Sequence, residues 1–190
     1  MPVHEGEYCG FETAIEDPGI LVVTFNRPES LNASTAAMKR DLVELLTQTQ
    51  MDDTIRIVVF TGQGQAFWAG DDLKGYSGDS VHVPPIHHGH HNPSGTYNGL
   101  RTISQAVNTA VRNLDKISIA AINGFAIQTG FSLALACDFR IASRSAKLGS
   151  ATLRFGLLPD EGGQWLLVQH LGVAKAMDFM MRKRIVDGET

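Results

Sequence analysis

Three β-rich apolar runs, GILVVTF (19–25), IRIVVFTG (55–62) and ISIAAING (117–124), are separated by segments whose apolar residues recur at helical spacing. This alternation constrains the fold more than any other feature. After the first run, Met38, Leu42, Leu45 and Leu46 share one face of a helix, with Ser34 as the expected N-cap. Residues 97–114 repeat the pattern through Leu100, Ile103, Val107, Ala110, Val111 and Leu114. Short strands are predicted at 139–143 and 146–150, and helical spacing returns from Gly163 to Met181. Helices at crossover length between strands predict one α/β domain over residues 1–190, with largely parallel pairing.

Charge narrows the function. The chain has 190 residues, a net charge of −4 and a pI near 5.9, so nothing suggests a nucleic-acid or acidic-membrane partner. Cys9 and Cys137, one near the start and one in an apolar run, make neither a disulfide framework nor a zinc site. The first residues lack the basic start and apolar stretch of a signal peptide, and no apolar run is long enough for a membrane span. A cytoplasmic location is expected. His82, His87, His88, His90 and His91 crowd a Gly-, Pro- and Ser-rich segment over 75–96. A metal site is one reading. A solvated surface loop is the favoured one, because no regular element flanks these residues to fix ligand angles.

Two glycine-bearing turns follow apolar strands: GQGQAFWAGDDLKG (62–75) and NGFAIQTGFSLALACDF (123–139). The second runs into a helix without a polar residue from Leu133 to Cys137, which predicts burial on all sides. A helix start presents unpaired N–H groups and a positive pole to an anion. Two such groups converging on one oxygen make an oxyanion hole.

FNRPESLNA, AFWAGDDLK, SIAAINGFAIQTGFSLALACDFRIAS and AKLGSATLRFGLLPDEGG, in that order and spacing, resemble the crotonase family, the enoyl-CoA hydratase/isomerase superfamily. The resemblance covers roughly residues 10–190. It implies the ClpP/crotonase fold, a spiral of ββα units rather than a flat sheet. It implies an acyl-CoA thioester substrate, with coenzyme A present only as part of that substrate and no permanently bound cofactor. The oxyanion donors fall on the backbone N–H of Asp71 and of Thr129, where the family usually has glycine. Ala69, Asp71, Asp72, Leu73 and Lys74 would take the coenzyme A end, mostly through backbone. Family members are trimers or hexamers, completed by C-terminal helices that this chain is expected to lack.

The departures matter most. Hydratases of the family use two glutamates, and those positions here carry Ser132 and Thr152, neither of which is a base near neutral pH. Asp160 falls where dienoyl-CoA isomerases and a 4-chlorobenzoyl-CoA dehalogenase place a working aspartate. Glu161 falls near an acid of a C–C-cleaving β-diketone hydrolase. Either could instead cap the helix expected from Gly162. Ser132 invites comparison with the serine of ClpP-type proteases, but the G-x-S-x-G elbow is only half present, and a buried serine bonded to a helix carbonyl is preferred. Trp68 and Trp165 are expected in the core or pocket wall. The resulting expectation is isomerase or hydrolase chemistry through an enolate at Asp160 or Glu161; the alternative is a non-catalytic acyl-CoA-binding or assembly subunit.

Overall fold

The computed structural model describes residues 3, 5–72, 92–150, 152–156, 158–159 and 161–190. Its strands fall in two sheets. The larger joins β1 (Gly6–Tyr8), β2 (Phe11–Glu16), β3 (Ile20–Phe25), β4 (Ile57–Gly62), β6 (Ile117–Ile122) and β8 (Phe139–Ala142) in that order. The smaller runs β10 (Ile185–Asp187), β9 (Lys147–Gly149), β7 (Phe125–Ile127), β5 (Ala66–Trp68). Pairs β3–β4, β4–β6 and β6–β8 are parallel, as are β5–β7 and β7–β9; the antiparallel pairs lie at the edges.

The β3–β4 crossover passes through α1 (Ala36–Gln50) alone; the next two, β4 to β6 and β6 to β8, follow one rule. The chain leaves a strand of the large sheet, turns at once into a strand of the small sheet, and returns through a helix. Thus β4–β5 leads into α2 (Pro93–Gly99) and α3 (Gln105–Arg112). The pair β6–β7 leads into α4 (Thr129–Ala136), and β8–β9 leads toward α5 (Gly163–Leu171) and α6 (Val173–Met181). This is the expected spiral of ββα units.

The helix α1 (Ala36–Gln50) buries Met38, Leu42, Leu45 and Leu46, the predicted face. Its N-cap is Thr35 rather than Ser34: the Thr35 hydroxyl accepts from the Met38 N–H at 3.2 Å. Ser34 is taken elsewhere, its N–H donating to the Gly70 carbonyl at 2.9 Å and its carbonyl accepting from Asp72 at 2.9 Å. The single helix expected over 97–114 is interrupted by a π-turn, Leu100–Ser104, between α2 and α3. Every residue of α4 is buried.

Phe25, Phe60, Phe67 and Trp68 pack together in the core, with the Phe25 ring 4.7 Å from Trp68 and edge-on to Phe67 at 5.6 Å. Trp165 is 58% exposed on α5, so it is not a core residue.

Asp52 ties the N-terminal segment to the turn after α1. It accepts from the Val3 N–H at 2.9 Å, the Thr54 N–H at 3.0 Å and the Thr54 hydroxyl at 2.6 Å. Chiefly the Thr54 hydroxyl lowers its pKa from 3.8 to about 2. A carboxyl lowered in the fold contributes stability above its unfolded value and loses it as pH falls through the folded one. Stability, followed as a urea midpoint, is therefore expected to fall more gently between about pH 4 and 2 in Asp52→Asn than in the parent. Parallel declines would show that this carboxylate is not linked to folding.

Candidate active site

Both predicted turns are brought together by the sheet that β5 and β7 share. After β5, the chain passes Ala69 and Gly70, the latter at φ +104°, a conformation that favours glycine. The Gly70 carbonyl is held by the Trp68 indole N–H at 3.1 Å and by the Ser34 N–H. Ser34 and Asp71 form a parallel bridge. In such a bridge Ser34 bonds Gly70 and Asp72, so the N–H of Asp71 points to the opposite side.

The Asp71 side chain turns inward. It receives the Lys39 ammonium at 2.6 Å, the Ser34 hydroxyl at 2.9 Å and the Thr129 hydroxyl at 3.2 Å, all at Oδ1. Lys39 is buried and also donates to the Ser104 hydroxyl of the π-turn at 3.1 Å. Asp72 pairs with Arg27 at 2.9 Å, and Arg27 further donates to the Ala33 carbonyl. Asn32, fully buried, donates to the carbonyls of Gln63, Ala66 and Phe67 and accepts from the Arg27 N–H. The block FNRPESLNA thus fastens the 69–72 turn to the first strand and helix. Leu73 and Lys74 lie outside the described residues, as do the five clustered histidines and Asp160.

Thr129 opens α4, so its N–H is among those a helix leaves without an internal partner. It follows Gln128, held at φ +54° and ψ −108°. Such a conformation costs a non-glycine residue on the order of 1–3 kcal/mol and survives only where its surroundings fix it. Here the Gln128 N–H donates to the Gly149 carbonyl at 3.0 Å, and its side-chain oxygen accepts from Ser150 at 2.7 Å. Its amide donates to Glu161 Oε2 at 3.1 Å.

Glu161 is 4% exposed. Besides Gln128, its carboxyl meets the Thr129 hydroxyl, Oγ1 to Oε1, at 2.6 Å, and its carbonyl accepts from Asn108 of α3 at 2.7 Å. It does not cap α5: that position is Gly162, at φ +97°, and no side chain caps the helix there. The carboxyl points back at α4 because Thr129 and Gln128 supply its donors.

Ser132 is buried, one turn further along α4, with its hydroxyl against Gly163 of α5. The ring of His170, the one histidine among the described residues, hydrogen-bonds the Leu135 carbonyl near the far end of α4 at 3.1 Å rather than Ser132. Thr152 lies in the short 3-10 turn Thr152–Phe155, its hydroxyl 3.1 Å from that of Ser150. Burial pushes the Cys137 thiol up to about 12, so it stays protonated at any physiological pH. Among the described residues, no cluster of His, Cys, Asp and Glu could hold a metal, and no helix is long and apolar enough to cross a membrane.

Lys39, Gln128 and Asn108 were not singled out by the sequence. Lys39 did leave a signal: it precedes Leu42 by three residues and Leu46 by seven, on the buried face of α1.

Residues 16–189 match the family described as enoyl-CoA hydratase/isomerase. The chain is 39% identical over 165 residues to the 1,2-epoxyphenylacetyl-CoA isomerase of Escherichia coli, covering 85% of this chain and 58% of that protein. It is 38% identical over 163 residues to a probable peroxisomal enoyl-CoA hydratase of Arabidopsis thaliana, covering 86% and 56%. Among solved structures, the enoyl-CoA hydratase of Bacillus anthracis superposes with a TM-score of 0.83 at 30% identity, covering 95% of this chain and 66% of that one. A putative enoyl-CoA hydratase of Thermobifida fusca, in complex with acetoacetyl-CoA, superposes at 0.82 with 32% identity, covering 95% and 69%. The chain spans little more than half the length of these curated relatives. Over that span it belongs to the enoyl-CoA hydratase/isomerase family.

Proposed function

We propose that this chain acts on an acyl-CoA thioester, moving a proton between carbons of the acyl group through an enolate. The N–H groups of Asp71 and Thr129 hold the thioester oxygen. The backbone around Ala69, Asp71, Asp72, Leu73 and Lys74 takes the coenzyme A end. Glu161, with Asp160 beside it in sequence, supplies the proton chemistry. The carrying observation is the position of Glu161: a buried carboxyl 2.6 Å from the hydroxyl of the residue that bears the second N–H.

Each step follows from those groups. A carboxylate takes the proton from the carbon next to the thioester, and the C–H electron pair moves toward the carbonyl oxygen. Two preorganised N–H donors stabilise that charge where water is excluded. Return of the proton at a second carbon shifts the double bond. Hydration by the two-glutamate route lacks both acids, because Ser132 and Thr152 stand in their places. The relative of Escherichia coli is named an isomerase and that of Arabidopsis thaliana a probable hydratase, so the choice rests on the residues of the site. A cytoplasmic trimer or hexamer is part of the same proposal.

The loss of both glutamates also fits a second reading, an acyl-CoA-binding or assembly subunit without catalysis. Incubation with crotonyl-CoA and with a 3-enoyl-CoA, followed by thioester absorbance and product analysis, separates the two. Isomerisation of the 3-enoyl ester well above hydration of crotonyl-CoA is expected. Tight binding without turnover of either ester, or of hydrolysable acyl-CoAs in the same panel, would favour the binding subunit.

A further inference from the structure

The Thr129 hydroxyl faces two carboxyl groups with one proton to give. Its Oγ1 is 2.6 Å from Glu161 Oε1 and 3.2 Å from Asp71 Oδ1. A hydroxyl donates one hydrogen bond and accepts up to two. Asp71 is the half-buried anion of an ion pair with buried Lys39, with the Lys39 ammonium at 2.6 Å and the Ser34 hydroxyl at 2.9 Å on the same oxygen.

We infer that Thr129 is a positioning residue that keeps Glu161 hydrogen-bonded in both of its protonation states. When Glu161 is the neutral acid, its O–H donates to Oγ1 and the Thr129 O–H turns to Asp71. When Glu161 is the anion, the Thr129 O–H turns to Glu161, and Asp71 keeps Lys39 and Ser34. The change of state then needs rotation about one C–O bond and leaves neither carboxyl stripped of donors. In a buried site this spares the penalty of an unmade bond. The inference rests on the reading of Glu161 as a proton-moving group.

The charged groups that the described hydrogen bonds bring toward Glu161 are Asp71, through Thr129, and Lys39 of α1 behind it. From α3 comes the neutral amide of Asn108, and from the turn before α4 that of Gln128. Asn108 donates to the backbone carbonyl and Gln128 holds Oε2, whereas at Oε1 serving both states takes a group that can donate and accept, as a hydroxyl does and an NH2 does not. Glycine, usual at this position in the family, could not serve either.

The test is a Thr129 series on the full chain with two readouts. One is the pH profile of kcat and KM on a 3-enoyl-CoA; the other is the titration of the Glu161 carboxyl carbon by NMR in carbon-13-labelled protein. Thr129→Val is expected to lower kcat about 10- to 100-fold with KM within a few-fold, and to move the Glu161 midpoint by roughly half a pH unit or more. Thr129→Ser is expected to restore both, because it restores the hydroxyl. Thr129→Ala removes the hydroxyl without an added methyl and replaces the valine variant if that one misfolds. An unmoved midpoint and full kcat in the hydroxyl-free variants would overturn the inference, as would a serine variant as impaired as valine. Full activity in Glu161→Gln would instead overturn the role proposed for Glu161 and leave Asp160 as the remaining carboxyl, while the titration still decides the role of Thr129.

Discussion

Replacing Glu161 by Gln is expected to lower kcat on a 3-enoyl-CoA by about 10²- to 10⁴-fold, the usual contribution of a positioned acid–base group. That is roughly 3–5 kcal/mol of barrier. The substitution keeps the shape and the acceptor at Oε1 that the Thr129 hydroxyl reaches, so the fold should survive it. It removes the ability to exchange a proton, together with the acceptor that the Gln128 amide uses at Oε2. Binding of the coenzyme A portion, assigned to the 69–74 turn, should change little, and KM should stay within a few-fold. A loss confined to KM would place Glu161 in binding instead. Unchanged kcat would remove it from the reaction and leave Asp160 as the remaining carboxyl.

The second large effect is on stability. Gly130, in the first turn of α4, lies against the backbone of β5: a Cβ built there would stand 2.0 Å from the Trp68 carbonyl oxygen. That neighbour is main chain in the small sheet, so it cannot swing aside as a side chain would. Gly130→Ala is expected to cost about 3 kcal/mol or more, the upper end of overpacking penalties, because helix and strand must part. A urea midpoint clearly below that of the parent is the expected measurement. A midpoint matching the parent would mean that α4 does not pack on β5 at this distance. The same approach sets the N–H of Thr129 next to the turn bearing Asp71, so surviving protein should also lose turnover.

Much of the fold was legible because its signals are local. Residues 20–25, 57–62 and 117–122 form strands in the larger sheet, each within a predicted run. The α1 face of Met38, Leu42, Leu45 and Leu46 is buried as its spacing requires. The division of strands between two sheets could not be read from periodicity: β5 and β7 are three residues each, too short to carry a pattern. The capping error at Ser34 has the same origin, since its backbone is claimed by Gly70 and Asp72, far along the chain. The site was legible where a motif carried it. Asp71, Thr129 and Glu161 converge, and the competing expectation that Glu161 caps α5 gives way to hydrogen bonds with Thr129 and Gln128. Lys39 and Gln128 escaped notice because a charged residue on an apolar helix face, or a glutamine with positive φ, announces itself only through partners distant in sequence.

Proton exchange at carbon tests the central claim with the fewest assumptions. A saturated acyl-CoA incubated with the protein in deuterium oxide has no double bond to hydrate or shift, yet its α-hydrogens must exchange if the site forms an enolate. Mass spectrometry of the recovered thioester is predicted to show deuterium entering the α-carbon with the parent chain, and far more slowly with Glu161→Gln. An ester that binds and returns undeuterated from the parent would contradict an enolate held by Asp71 and Thr129.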